Sequence, residues 1–259
     1  MFDVDCVLQQ TFVARVEHYP SIGSTNDRAI ECADGPGEEL PLLVVADCQT
    51  AGRGRGSHRW WTGRGSLAMS LLFEAEVFGP TRPSAPPMAA LAVAVALVET
   101  LTGRLPCHKP GIHWPNDIMV GDRKLAGILV EVLPNRRHVV GVGLNTNNSS
   151  ADAPAELKQT VATLKELTGK EHDHTELLVE LLGHMDRVFS QLASAPHRIG
   201  ARADALCLQR GQTLSVTLGS GSTQGRSTRG RCAGIAPDGA LLLDTPDGRK
   251  SFYTGELRP

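Results

Sequence analysis

The run Met88–Leu101, MAALAVAVALVETL, limits this chain more than any other segment. A helix that is apolar on every side must be surrounded, by lipid or by the rest of its own protein. These fourteen residues are too few to span a bilayer, and Glu99 already interrupts them. The run is therefore expected as a buried core helix. With 259 residues, 41% of them apolar, the chain can enclose such a core and a small second one.

Charge then narrows the function. Lys and Arg number 26 against 28 Asp and Glu, a net charge of −2, so no global basic excess draws the chain to nucleic acid or a membrane surface. Phosphate chemistry, if present, must come from a local cluster. The opening Met1-Phe2-Asp3-Val4-Asp5 has neither the basic nor the long apolar region of a signal peptide. Six cysteines lie far apart with no CxxC pair, which reads as reduced thiols in the cytoplasm, without a disulfide framework or a side-chain metal site. Cys48, beside Gln49, is the one cysteine next to a motif, and none is expected to be catalytic.

Ser24-Thr25-Asn26-Asp27 looks like a helix start, and Leu42–Ala46 a strand buried on both faces. A Gly/Arg-rich loop from Gly52 to Gly65 separates it from a second strand, Ser66–Phe73, and a Pro-rich loop, Pro80–Pro87, precedes the apolar helix. Strands follow at Ile112–Trp114, Asp117–Val120, Lys124–Leu133 and His138–Leu144, joined by turns at Pro115-Asn116, Gly121-Asp122 and Pro134-Asn135. Helical spacing appears over Leu157, Val161, Leu164 and Leu167, and again from Leu177 to Leu192. From Gly211 the pattern becomes short alternating segments, Thr213–Leu218, Gly230–Ile235 and Ala240–Asp244, with Pro-Asp-Gly turns. The reading is an α+β domain over residues 1–208 with a small all-β domain over 209–259.

Four segments carry chemistry. In Gln49–Trp60, QTAGRGRGSHRW, glycines admit close approach of an anion and arginines supply fork-shaped donors that match phosphate and carboxylate. The same loop also reads as a solvated basic patch. Trp114-Pro115-Asn116-Asp117 precedes Lys124, which opens the apolar strand Leu125–Leu129 and needs an anionic partner unless it reaches water. Gly141 and Gly143 leave one strand face bare for a flat ligand or another backbone, with Asn145 at the strand end. Ser24-Thr25-Asn26 is a helix cap, or a polar helix N-terminus that receives a small ligand.

Taken in order, Ser24-Thr25-Asn26, Gln49 with Gly52-Arg53-Gly54-Arg55 and Trp60, Trp114–Asp117, Lys124 with Gly127-Ile128-Leu129, and Gly141–Asn145 closely resemble the biotin–protein ligases. These enzymes biotinylate the carrier protein of acetyl-CoA carboxylase. The resemblance implies a class II synthetase-like mixed sheet with flanking helices, then an SH3-like β-barrel. It implies that ATP and Mg²⁺ activate biotin as biotinyl-5′-AMP, which a lysine of the biotin carboxyl carrier protein then attacks. By the same resemblance Ser24, Thr25, Asn26 and Gln49 hold the biotin rings, and Arg53, Gly54 and Arg55 close over biotin and the adenylate phosphate. Lys124 contacts the carboxylate and α-phosphate, making Lys124, Arg53 and Arg55 the catalytic set. Asn116, Asp117 and Asn145 lie on the ATP side.

The sequence departs from the family pattern at Ser57 and His58 in the loop and at His113, where a lysine is usual. It shows no winged helix-turn-helix before the first motif, so operator DNA is not an expected partner, nor is a membrane; homodimerisation is left open. The Gly52–Gly65 loop, with five glycines and four arginines, is expected to be mobile until an acyl phosphate gives Arg53 and Arg55 a reason to converge. The alternatives are a lipoate–protein ligase of the same fold and a nucleic-acid-binding protein using the Gly/Arg loop.

Overall fold

A computed structural model describes residues 2–35, 39–74, 86–218 and 227–258. Helix α1 (Val4–Gln10), capped by Asp3, leads to β1 (Arg15–Tyr19) and α2 (Thr25–Cys32). Strands β2 (Leu42–Ala46) and β3 (Leu67–Phe73) bracket the Gly/Arg segment, and α3 (Pro86–Thr102) is the apolar helix. Four strands follow: β4 (Pro110–His113), β5 (Asp117–Val120), β6 (Arg123–Val132) and β7 (His138–Leu144). After α4 (Leu164–Thr168), α5 (His174–Ser194) and α6 (Pro196–Ala205) come β8 (Thr213–Thr217), β9 (Ser227–Ile235), β10 (Leu241–Thr245), β11 (Gly248–Phe252) and β12 (Glu256–Arg258).

The first seven strands form one mixed sheet in the order β1-β2-β3-β7-β6-β5-β4, parallel only between β1 and β2. Both faces are covered. Leu43, Val45, Met69 and Leu71 point to the side shared with α3 and α5, while Leu42, Val44, Leu72 and Val139 pack under Ala29 and Cys32 of α2. That double cover is why β2 and β3 are apolar without alternation and buried at every position. Helix α3 is enclosed as expected: every side chain from Met88 to Val98 is buried. Its polar members are answered locally, Thr100 donating to the Ala96 carbonyl at 3.0 Å and Glu99 pairing with Arg202 of α6. Burying each large aliphatic side chain contributes roughly 1.5–3 kcal/mol, so this helix anchors the fold.

The remaining strands form a five-stranded antiparallel sheet, β11-β10-β9-β8-β12, consistent with an SH3-like unit, although no closed barrel is formed among the described residues. It is not loosely appended. Leu214, Val216, Ile235, Leu241 and Leu243 belong to the same apolar cluster as α3, and the Trp114 indole N–H donates to the Gly239 carbonyl at 3.0 Å.

One reading of local structure is corrected, and three elements went unread. The helix expected over Leu157–Leu167 is only α4, because Val161 is drawn into a bridge with Lys124 and Thr163 then caps a new start, accepting from the Glu166 N–H. Helix α1 and strand β1 are too short, and helix α6 too poor in apolar residues, to show a sustained period, and β1 is only half-buried throughout. Of the Pro80–Pro87 loop, residues 80–85 lie outside the described residues.

Candidate active site

One cleft of about 480 Å³ gathers almost every residue singled out in the sequence. Its size is ordinary for a small-molecule site. Ser24, Thr25, Asn26, Gln49, Arg53, Gly54, Arg55, Asn116, Asp117 and Lys124 all line it; Asn145 does not.

At one end the N-terminus of α2 is wired to its surroundings. Ser24 caps the helix, its Oγ accepting from the Asp27 N–H at 3.3 Å. Gln49 Oε1 accepts from the Thr25 N–H at 2.8 Å and from the Thr25 hydroxyl at 3.1 Å, while its Nε2 donates to Thr62 at 3.3 Å. Buried Ser70 of β3 lies 2.7 Å from Thr25 Oγ1 and 2.6 Å from Asn26 Oδ1. Asn26 occupies the space over Gly141, where a β-carbon would overlap its carboxamide oxygen. The result is a fixed set of small polar groups, suited to a compact neutral polar ring system.

Along the cleft, the Gly/Arg segment folds back on itself. Arg53 bridges Arg59, and the Gly54 N–H donates to the His58 carbonyl at 2.9 Å. Arg53 and Arg55 then face different partners. Arg53 makes a fork onto Glu131 of β6, 2.9 Å to Oε1 and 2.6 Å to Oε2, and its Nε forms an ion pair with Asp27 at 2.7 Å. Among the described residues Arg55 reaches only neutral oxygens, Asn116 Oδ1 at 3.2 Å and the Gly255 carbonyl at 2.9 Å. The expectation that both arginines need a bound anion to hold them is corrected here. Arg53 already has two carboxylates of the chain itself, and its guanidinium is held more firmly charged by Glu131 first and Asp27 second.

The Trp114–Asp117 turn supplies the opposite wall. Asn116 Nδ2 donates to the Ile128 carbonyl at 2.8 Å, and the Ile128 N–H donates to the Asn116 carbonyl at 2.9 Å, which fixes the turn against β6. Asp117 forms an ion pair with Lys124 at 2.8 Å, and the Lys124 ammonium also sits 5.5 Å from the centre of the Trp60 ring. Lys124 is thus neither buried alone nor free in water; it stands at the cleft with one carboxylate and one aromatic face. His113, opposite Asp117 in the β4–β5 register, is pushed below the usual imidazole range by burial, against the pull of Asp117 and with a smaller push from Lys124. It therefore adds no fixed positive charge at neutral pH.

The flat group expected over the bare glycines is the chain's own. A β-carbon on Gly143 would overlap the Trp60 indole, and one on Gly127 would lie 3.1 Å from it, so both glycines make room for Trp60. Asn145 is buried behind β6: its Nδ2 donates to the Lys124 carbonyl at 3.4 Å and its Oδ1 accepts from Asn148 at 3.1 Å. It is not among the residues that line the cleft, and it bonds to the backbone of Lys124, which does line it. Sequence reasoning missed Glu131, Ser70 and residues 254–257, which close the cleft from the second sheet. A glutamate near the end of an apolar strand was a usable signal; nothing local marks a backbone carbonyl such as that of Gly255.

Residues 20–147 match the model of the Biotin/lipoate A/B protein ligase family, and residues 216–257 that of the Biotin protein ligase C terminal domain. The chain is 31% identical over 247 residues to the bifunctional ligase/repressor BirA of Bacillus spizizenii, covering 91% of this chain and 71% of that one. It is 30% identical to a biotin–[acetyl-CoA-carboxylase] ligase of Paracoccus denitrificans, covering 90% of this chain and 96% of that one. Among solved structures, biotin protein ligase from Aquifex aeolicus in complex with biotin and ATP superposes with a TM-score of 0.79 at 25% identity, covering 95% of this chain and 98% of the other. The motifs that converge on the cleft and these relatives agree: the chain belongs to the biotin/lipoate A/B protein ligase family.

Proposed function

We propose that this chain activates biotin with ATP, forming biotinyl-5′-AMP and pyrophosphate, and transfers the biotinyl group to a lysine of the biotin carboxyl carrier protein of acetyl-CoA carboxylase. The observation that carries this reading is the meeting, in one cleft, of the polar network at Ser24–Asn26 and Gln49 with the cations Lys124 and Arg55. The first suits the ureido ring of biotin, the second the carboxylate and phosphate at its other end.

In the first half-reaction a carboxylate oxygen of biotin attacks the α-phosphorus, and the bond to pyrophosphate breaks. No protein nucleophile is required, so the chain's work is to orient two anions and offset their charge. Lys124 does this by exchanging Asp117 for the incoming oxygens, and Arg55 by exchanging its neutral partners for phosphoryl oxygen. No group of three or more His, Cys, Asp or Glu among the described residues forms a metal cage. Magnesium would be held largely by the phosphates of ATP, whose charge it would offset, with Asp117 and Glu256 the carboxylates that line the cleft. In the second half-reaction the carrier lysine attacks the acyl carbon and AMP leaves. Its amine, with an ordinary pKa of about 10.4, must lose a proton to attack, and Asp117, the ion-pair partner of Lys124, accepts it in this reading once Lys124 has turned to the adenylate. Asn145 contributes on the ATP side by holding the backbone of Lys124. The six free cysteines accord with a reducing, cytoplasmic setting.

The test is direct. Protein, ATP, Mg²⁺ and biotin are incubated, and biotinyl-AMP is sought by mass spectrometry, with lipoate in a parallel reaction and an apo carrier protein added afterwards. Biotinyl-AMP and a carrier mass increased by one biotinyl group are expected; an adenylate from lipoate alone would overturn the reading.

A further inference from the structure

The first candidate beyond the established motifs is a side chain none of them contains. Glu131 stands near the end of β6, half-covered, and its two oxygens are fully engaged. Arg53 of the loop donates to both, and Asn26 at the start of α2 donates from Nδ2 to Oε2 at 2.8 Å. One carboxylate therefore ties together three segments far apart in sequence: the helix start, the loop and the strand that carries Lys124.

We propose that Glu131 is the positioning residue of this site: it latches the Gly/Arg loop through Arg53 and orients Asn26, so that the loop stands near its closed arrangement before substrate arrives. The inference rests on the function proposed above. Charge gives the reason. Arg53 faces Glu131 and Asp27 together, one cation against two anions, so it has no spare positive charge to offer a phosphate. Arg55, two residues on, faces only neutral oxygens and keeps its charge for a ligand. The two arginines that look equivalent in sequence are divided into a fastener and an anion binder, and Glu131 makes the division. A forked guanidinium–carboxylate pair also fixes direction as well as distance, which a single contact does not. Asn26 gains similarly: with its Nδ2 committed to Glu131, its Oδ1 is fixed towards Ser70, and the amide cannot flip.

The experiment compares full-length wild type, E131Q, E131A, R53A and the double variant E131A/R53A. Biotin-dependent pyrophosphate exchange gives KM and kcat, and filtration gives the rate at which biotinyl-AMP escapes the enzyme. In E131A, KM for biotin and the escape rate are expected to rise about tenfold or more, with kcat changed much less, as expected when a charged hydrogen-bonded pair is lost. E131Q, which retains the shape and part of the bonding, should fall between E131A and wild type. Because Glu131 acts largely through Arg53, the double variant should be little worse than E131A alone. Wild-type KM and escape in E131A, or losses that simply multiply in the double variant, would overturn the proposal. If E131A does not fold, E131Q and R53A carry the same comparison. Hydrogen exchange of residues 52–65 without any substrate reads the latch by itself. Faster exchange confined to that loop in E131Q supports it, and unchanged exchange overturns it, even if the wild type makes no biotinyl-AMP and the functional reading fails.

Discussion

The two sheets solve the same problem by different means. The centre of the seven-stranded sheet is covered on both faces, so β2 and β3 are buried throughout and apolar except for Ser70. The five-stranded sheet is covered on one face, and β8 alternates exposed or half-buried with buried residues in the usual way. Side chains from the first sheet and the segments beside it, Lys124, Asp117, Asn26 and Glu131, do the chemistry or set it up. The bond that the second sheet sends to Arg55 comes from a backbone carbonyl, that of Gly255. The comparison teaches that the charged side chains stand on β5 and β6, where the cover gives way to the cleft beside strands held from both faces, whereas the second sheet supplies a wall.

The largest expected effect tests where the chemistry sits. Lys124→Ala should slow biotin-dependent pyrophosphate exchange by about 100- to 1,000-fold, roughly 2.7–4 kcal/mol of barrier, while the melting temperature stays close to wild type. Near wild-type exchange would remove Lys124 from the mechanism and break the comparison at its centre. Next, Gly143→Ala forces the Trp60 indole off β7, and overpacking of this kind costs about 1–3 kcal/mol. Calorimetry should show the lower stability, and tryptophan fluorescence should change with it; an unchanged spectrum would mean the indole does not rest on that glycine.

Acid should separate the two regions more gently. All nine histidines precede residue 209, and burial holds His113, His138, His172 and His174 below the ordinary range. The unfolded chain takes up these protons near pH 6.5 and the folded chain resists them, so stability is full above that pH and falls as pH drops below it, towards the lowered folded values. Amides of β7 and α5 should lose protection on acidification before those of β9 and β10. Simultaneous loss would show that the shared core makes one cooperative unit of both. The smallest effect is expected at exposed Tyr253, whose hydroxyl donates to Asp238 at 2.6 Å. Tyr253→Phe should leave both melting temperature and activity unchanged, and a fall in activity would give the second sheet a chemical part it is not assigned here.

Much of this was legible before any coordinates, for stated reasons. The apolar helix and the two apolar strands announce themselves because burial on every side leaves room for few polar residues, such as Thr100 and Ser70. The cleft residues are readable because they cluster in short motifs that the fold brings together intact. What the sequence concealed is pairing at long range. Arg53 and Arg55 look alike until Glu131, 78 residues on, claims one of them. Gly141 and Gly143 signal a close approach but not what approaches, which proved to be Asn26 and Trp60. The false helix at Leu157 had the right spacing, but Lys124 of β6 claimed the Thr160 carbonyl and the Ala162 N–H on either side of Val161.

The bond from Arg55 to Gly255 spans 200 residues, which makes the cleft a late product of synthesis. At a ribosomal rate of about 5–20 residues per second, roughly 10–40 seconds separate the birth of the loop from that of its far wall. For the second half of that interval the seven strands of the first sheet are all made while the cleft stands open on one side. The site becomes enclosed only when the segment that carries Gly255 docks against Arg55.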